Sequence, residues 1–106
     1  MNVIVVLCTF PNLETARQIA TALVEAQLAA CVNLCPAVES IYRWQGKVES
    51  AGEVLALIKT TRAGFNALEN KLQELHPYDV PEIVALPAEL ASAAYARWVH
   101  DSVAGS

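Results

Sequence analysis

The sequence predicts an α+β sandwich in the order βαββαβ, with a long β-hairpin and an added C-terminal helix. Three observations carry this. Two arms rich in aromatic and β-branched residues flank Gln45-Gly46-Lys47, the pattern of a hairpin. The continuous apolar run Val3 to Leu7 has the length of a strand buried on both faces. Two stretches, starting near Leu13 and Arg62, repeat apolar residues at helical spacing.

The elements follow in order. Asn2 to Thr9 is the first strand, closed by Phe10-Pro11-Asn12. Asn12 is suited to cap a helix over about Leu13 to Ala26, with Glu14 in its first turn favourable for the helix dipole. Ala16, Ile19, Ala20, Leu23 and Gln27 keep the i, i+3, i+4, i+7 spacing of one face. Cys31 to Cys35 reads as a strand stopped by Pro36, which cannot donate to a ladder. Whether it continues into Val38–Trp44 as one kinked strand or stands as a separate one is open. The second hairpin arm ends Glu53 to Thr60. Thr60 or Thr61 is suited to cap a helix from about Arg62 to Leu75, with Phe65, Leu68, Leu72 and Leu75 as its buried stripe. His76-Pro77-Tyr78-Asp79-Val80-Pro81 is a stiff connector. Glu82 to Leu86 is a short strand ended by Pro87. Leu90 to about Val103 is the last helix, with Tyr95, Trp98 and Val99 as its apolar side, followed by a fraying tail, Ala104-Gly105-Ser106. Short connections and right-handed crossovers make this a single ferredoxin-like domain over residues 1–106.

Val54, Ala56 and Ile58 face one way along the second hairpin arm, and Leu55 and Leu57 the other. A sheet apolar on both faces needs cover on both. Helices supply one, and a second copy of the chain is expected to supply the other. Composition agrees: 55% of residues are hydrophobic and 17% charged, against roughly 45–50% and 25% in ordinary soluble domains. No run approaches the ~20 apolar residues of a membrane-spanning helix. Met1 to Cys8 lacks the basic start and cleavage site of a signal peptide, so a cytoplasmic location is expected. Net charge is −4 and the seven basic residues are scattered, which argues against nucleic acid as a partner. Three cysteines, Cys8, Cys31 and Cys35, make no disulfide framework. Cys31 and Cys35 would lie about 13 Å apart on one strand, too far to share an ion bound at about 2.3 Å.

Five stretches resemble one known family, the CutA divalent-ion tolerance proteins. They are Val6-Leu7-Cys8-Thr9, Leu28-Ala29-Ala30-Cys31-Val32-Asn33, Ser40 to Lys47, Glu53-Val54 with Ile58-Lys59-Thr60, and His76 to Ile83. The resemblance implies a ferredoxin-like subunit in a homotrimer, a likeness in assembly to the PII signal proteins, and association with copper and other divalent ions. Carried over, the proposed copper ligands are Cys8 and His76, with Leu75 where some members carry a second His. Thiolate and imidazole suit copper. Antiparallel neighbours would bring the end of the first strand to the start of the last. The structural alternative is that Cys8 packs in the core and His76 caps the preceding helix.

A second group is Tyr42, Trp44, Glu53, Lys59, Tyr78 and Glu82. Lysine and carboxylates gathered near subunit contacts, with aromatic walls, suit an intersubunit cleft for a small anionic ligand, as in a PII-like signalling trimer. The same residues equally suit an ion pair that fixes subunit geometry, with Trp44 as an interface anchor. There is no Gly-rich phosphate loop, metalloprotease motif or Ser–His–Asp set, so no enzyme activity is expected. The reading is a cytoplasmic homotrimer for divalent-ion tolerance, with copper as a weak, non-obligate ligand.

Overall fold

The computed structural model describes residues 2–105. Met1 and Ser106, which the single-domain expectation and the tail include, lie outside the described residues. The elements are β1 (Val3–Phe10), α1 (Leu13–Glu25), β2 (Cys31–Trp44), β3 (Lys47–Thr61), α2 (Phe65–Leu75), β4 (Val84–Pro87) and α3 (Ala93–Ser102). The sheet has the order β2-β3-β1-β4, and every neighbouring pair is antiparallel. This is the α+β ferredoxin-like arrangement the element order predicts. Among the described residues no helix is long and apolar enough to cross a membrane.

Local chemistry explains the element ends. The Asn12 side chain accepts from the Thr15 backbone N–H at 2.8 Å and opens α1. Gln27 extends the helical spacing on paper but sits in the left-handed region at φ 59°. It closes α1: Gln27 N–H donates to Val24 O and Leu28 N–H to Leu23 O, the paired bonds of a Schellman cap. Gln45 and Gly46 both have positive φ, as a two-residue hairpin turn demands. Neither threonine caps α2 directly. The Thr61 hydroxyl accepts from Gly64 N–H, and Gly64 is the cap residue. Glycine is required there by space, since a Cβ would lie 2.9 Å from Val103 Cγ1. β4 starts two residues later than the sequence suggests and includes Pro87, tolerated because β4 is an edge strand.

Ile4, Val6, Cys8 and Phe10 of β1 join Val54, Ala56 and Ile58 of β3 on the side covered by α1 and α2. Ile19, Leu23, Leu68 and Leu72 complete that core. Phe65 is only partly buried and Leu75 is exposed, so the α2 stripe is narrower than its spacing implies. α3 lies on the opposite side. Ala96, Val99 and Val103 pack there with Val3 and Ala30. Of the residues expected on its apolar side, Val99 is buried, while Tyr95 and Trp98 are 39% and 47% exposed in the single chain, with ring centroids 5.6 Å apart.

Beyond that small cluster the second face carries Val5, Leu7, Leu55, Leu57, Val84 and Leu86, by the registers Leu7↔Leu57 and Leu7↔Val84. None of these is fully buried, and Val84 and Leu86 are 48% and 47% exposed. The hairpin projects beyond the domain. The longest dimension is 44 Å and the radius of gyration 14.1 Å, above the roughly 13 Å of a compact chain this long.

Candidate functional site

A bulge in β2 places the aromatic wall of the site. Cys35 pairs with Leu55, but Val38 pairs with Glu53, so β2 carries one residue more than β3 between those points. The break falls at Pro36-Ala37, where proline has no N–H for the ladder. β2 is therefore one strand with a kink. The extra residue reverses which side chains face which way. Before it, Asn33 and Cys35 share the open face with Leu57 and Leu55. After it, Tyr42 and Trp44 share that face with Glu49 and Lys47. Without the bulge both aromatics would point away from the site.

The connector after α2 forms the facing wall. The His76 ring stacks on Phe10 with centroids 4.9 Å apart. Its Nδ1 accepts from the Tyr78 backbone N–H at 3.1 Å. Nε2 then carries the proton and donates to the Thr9 carbonyl at 2.8 Å. Burial holds the His76 pKa below its ordinary value, and the Thr9 bond and the Glu53 charge only partly oppose this. The ring is neutral at pH 7. The Tyr78 hydroxyl donates to Glu53 Oε2 at 2.6 Å and ties the connector to β3. Burial, then this bond, raise the phenol's pKa.

Between these walls lies a cavity of about 790 Å³. Tyr42, Trp44, Glu53, Tyr78 and Glu82 line it within one chain. Lys59 does not. It stands six residues along β3 from Glu53, about 20 Å away, and its Nζ donates to Asn33 Oδ1. Glu49 and Asp79 line the cavity instead, and no lysine or arginine is among its described lining residues. Within one chain, the cleft is lined by four carboxylates and is negative. Glu49 was legible, because it shares strand parity with Glu53. Asp79 was not, because it sits in a connector with no period to read.

Cys8 and His76 converge on one group, the Thr9 carbonyl, to which the Cys8 thiol donates weakly at 3.9 Å. Their donor state does not fit a copper ion. Cys8 is fully buried, and its thiol is pushed up to about 12 by burial and then by the Glu82 and Glu53 charges. The ligand form is the thiolate. Both His76 ring nitrogens are already engaged. Among the described residues no three His, Cys, Asp or Glu side chains gather to hold a metal ion.

A family model described as CutA1 divalent ion tolerance protein matches residues 4–102. A relative from Thermus thermophilus, named divalent-cation tolerance protein CutA, is 52% identical over 98 residues, covering 92% of this chain and 95% of the relative. Protein CutA from Mus musculus is 49% identical over 92 residues, 87% of this chain. The chain spans about half of that longer relative, 52% of its length. The crystal structure of CutA1 from Oryza sativa superposes with a TM-score of 0.96 at 40% identity, covering 100% of this chain and 97% of that one. With the match running from β1 to α3, this chain belongs to the CutA1 divalent ion tolerance protein family.

Proposed function

We propose that the chain assembles as a homotrimer and serves divalent-ion tolerance in the cytosol, without a resident copper centre. The tolerance role rests on family membership. The assembly rests on one observation, the open apolar face of Val5, Leu7, Leu55, Leu57, Val84 and Leu86. Covering each such side chain is worth about 1.5–3 kcal/mol, and the projecting hairpin is long enough to add strands to a neighbour's sheet. A ring closes when each hairpin engages the next subunit. Three free cysteines suit a reducing compartment. No group in the cleft is set up for nucleophilic attack, so the role is binding rather than catalysis. A second reading, a PII-like trimer taking an anionic metabolite, draws support from the size of the cleft but not from its charge.

The test is growth in excess copper of a strain lacking its own member of this family. The native chain should restore growth, and Cys8→Ala should restore it equally, because the thiol is a core group here. Failure of the native chain would overturn the tolerance role. Rescue by the native chain but not by Cys8→Ala would return Cys8 to the ion's path.

A further inference from the structure

We infer that Lys59 of each copy seats its ammonium among the cleft carboxylates of a neighbouring copy, so that the cleft is completed only on assembly. The inference rests on the assembly proposed above and names the contact that sets its geometry. Lys59 is a charged residue inside the open apolar face. It stands between Cys31 on β2 and Val5 on β1, with Leu86 on the far side of Val5. It is already half-buried in the single chain. Its amine donates to Asn33 Oδ1, which supplies a dipole and no charge. The ion pairs Lys71–Glu74 and His100–Asp101 lie elsewhere. A second copy laid over this face takes water from the ammonium, and a buried charge without a counter-charge is strongly destabilising.

The counter-charge cannot come from the same chain. Glu53 and Glu49 share the face of Lys59 but stand six and ten residues back along β3, about 20 and 33 Å away. On β4, Leu86 is the residue level with Val5 and Lys59. Glu82 is four residues before Leu86, at least about 13 Å further along the sheet. A lysine side chain spans none of these distances, so the covering copy must supply the carboxylate.

The cleft has the opposite need. Glu49, Glu53, Asp79 and Glu82 line it, with no lysine or arginine among its described lining residues. Glu49 and Glu53 lie on the same strand face as Lys59, at the other end of β3. Unlike patches at opposite ends of one face are what a head-to-tail contact joins. Repeated around a ring, each copy gives one lysine and receives one. An ammonium arriving in the cleft also meets Tyr42 and Trp44, whose ring faces attract cations.

The test is a set of double-mutant cycles on the full chain at 0.1 M salt. Sedimentation reads the dissociation constant of the assembly, at the urea concentration that half-dissociates the native chain. Lys59→Gln is combined in turn with Glu49→Gln, Glu53→Gln, Asp79→Asn and Glu82→Gln. At least one of the four should be coupled to Lys59→Gln by about tenfold. That substitution should weaken the native assembly and have little effect once Lys59 is gone. Lys71→Gln, the same charge change on α2, should be additive with all four. Within one chain Glu49, Glu53 and Glu82 lie beyond the roughly 10 Å screening length from Lys59, so such coupling reports contact between copies. Additivity of Lys59→Gln with all four would overturn this inference and leave the assembly standing. A native chain that sediments as a folded monomer would overturn both.

Discussion

Replacing Leu57 by Asp should break the assembly into single chains. Leu57 sits mid-sheet on the open face, paired with Leu7 on one side and Asn33 on the other. A carboxylate there would be buried without a partner once a neighbouring subunit docks, at a cost of several kcal/mol per chain. The single chain would be little affected, because Leu57 lies outside the core beneath α1 and α2. Sedimentation at micromolar concentration should show a folded species of one-third the native mass, while Leu57→Met keeps the native mass. An undiminished mass for Leu57→Asp would mean that this face is not where subunits meet.

Phe10→Ala should cost about 3–5 kcal/mol, the usual loss for a fully buried aromatic. Phe10 is 1% exposed and closes the end of the main core. It also carries the His76 ring, worth about 0.5–1.5 kcal/mol beyond the buried area. Chemical denaturation should show the midpoint falling far more than in Leu75→Ala, a residue 37% exposed at the end of α2. Because His76 anchors the connector that walls the cleft, Phe10→Ala should also change the surroundings of Trp44 before global unfolding. Equal midpoints for the two substitutions would show that Phe10 is not the keystone of that end of the sheet.

The fold was legible because its elements differ in period. β1 is apolar at consecutive positions, α1 and α2 repeat at helical spacing, and the hairpin turn carries Gly46. The misreadings have local causes. Tyr95 and Trp98 are the bulkiest apolar residues of α3, yet Ala96 and Val99 are small enough to let the helix sit close on Val3 and Ala30. Bulk suggested one face and close approach selected the other. Gln27 kept the helical spacing but took the left-handed conformation that ends the helix.

Part of the cleft within one chain was legible. Tyr42, Trp44, Glu53, Tyr78 and Glu82 line one cavity, and strand rise carries Lys59 about 20 Å along β3 from Glu53. The bulge is the least legible feature with the largest consequence. Pro36 announces a break in the ladder, but the reversal of Tyr42 and Trp44 appears only when the register is known. For Cys8 and His76 the topology brought the pair together as expected. What the sequence could not convey is their bonding: one carbonyl, Thr9, holds both.

The claim on which the rest depends is that one copy leaves an apolar sheet face uncovered. Sedimentation equilibrium of the native chain at micromolar concentration measures it directly. The predicted result is a single species of three times 11.4 kDa. A stably folded, non-aggregating species of 11.4 kDa would contradict it.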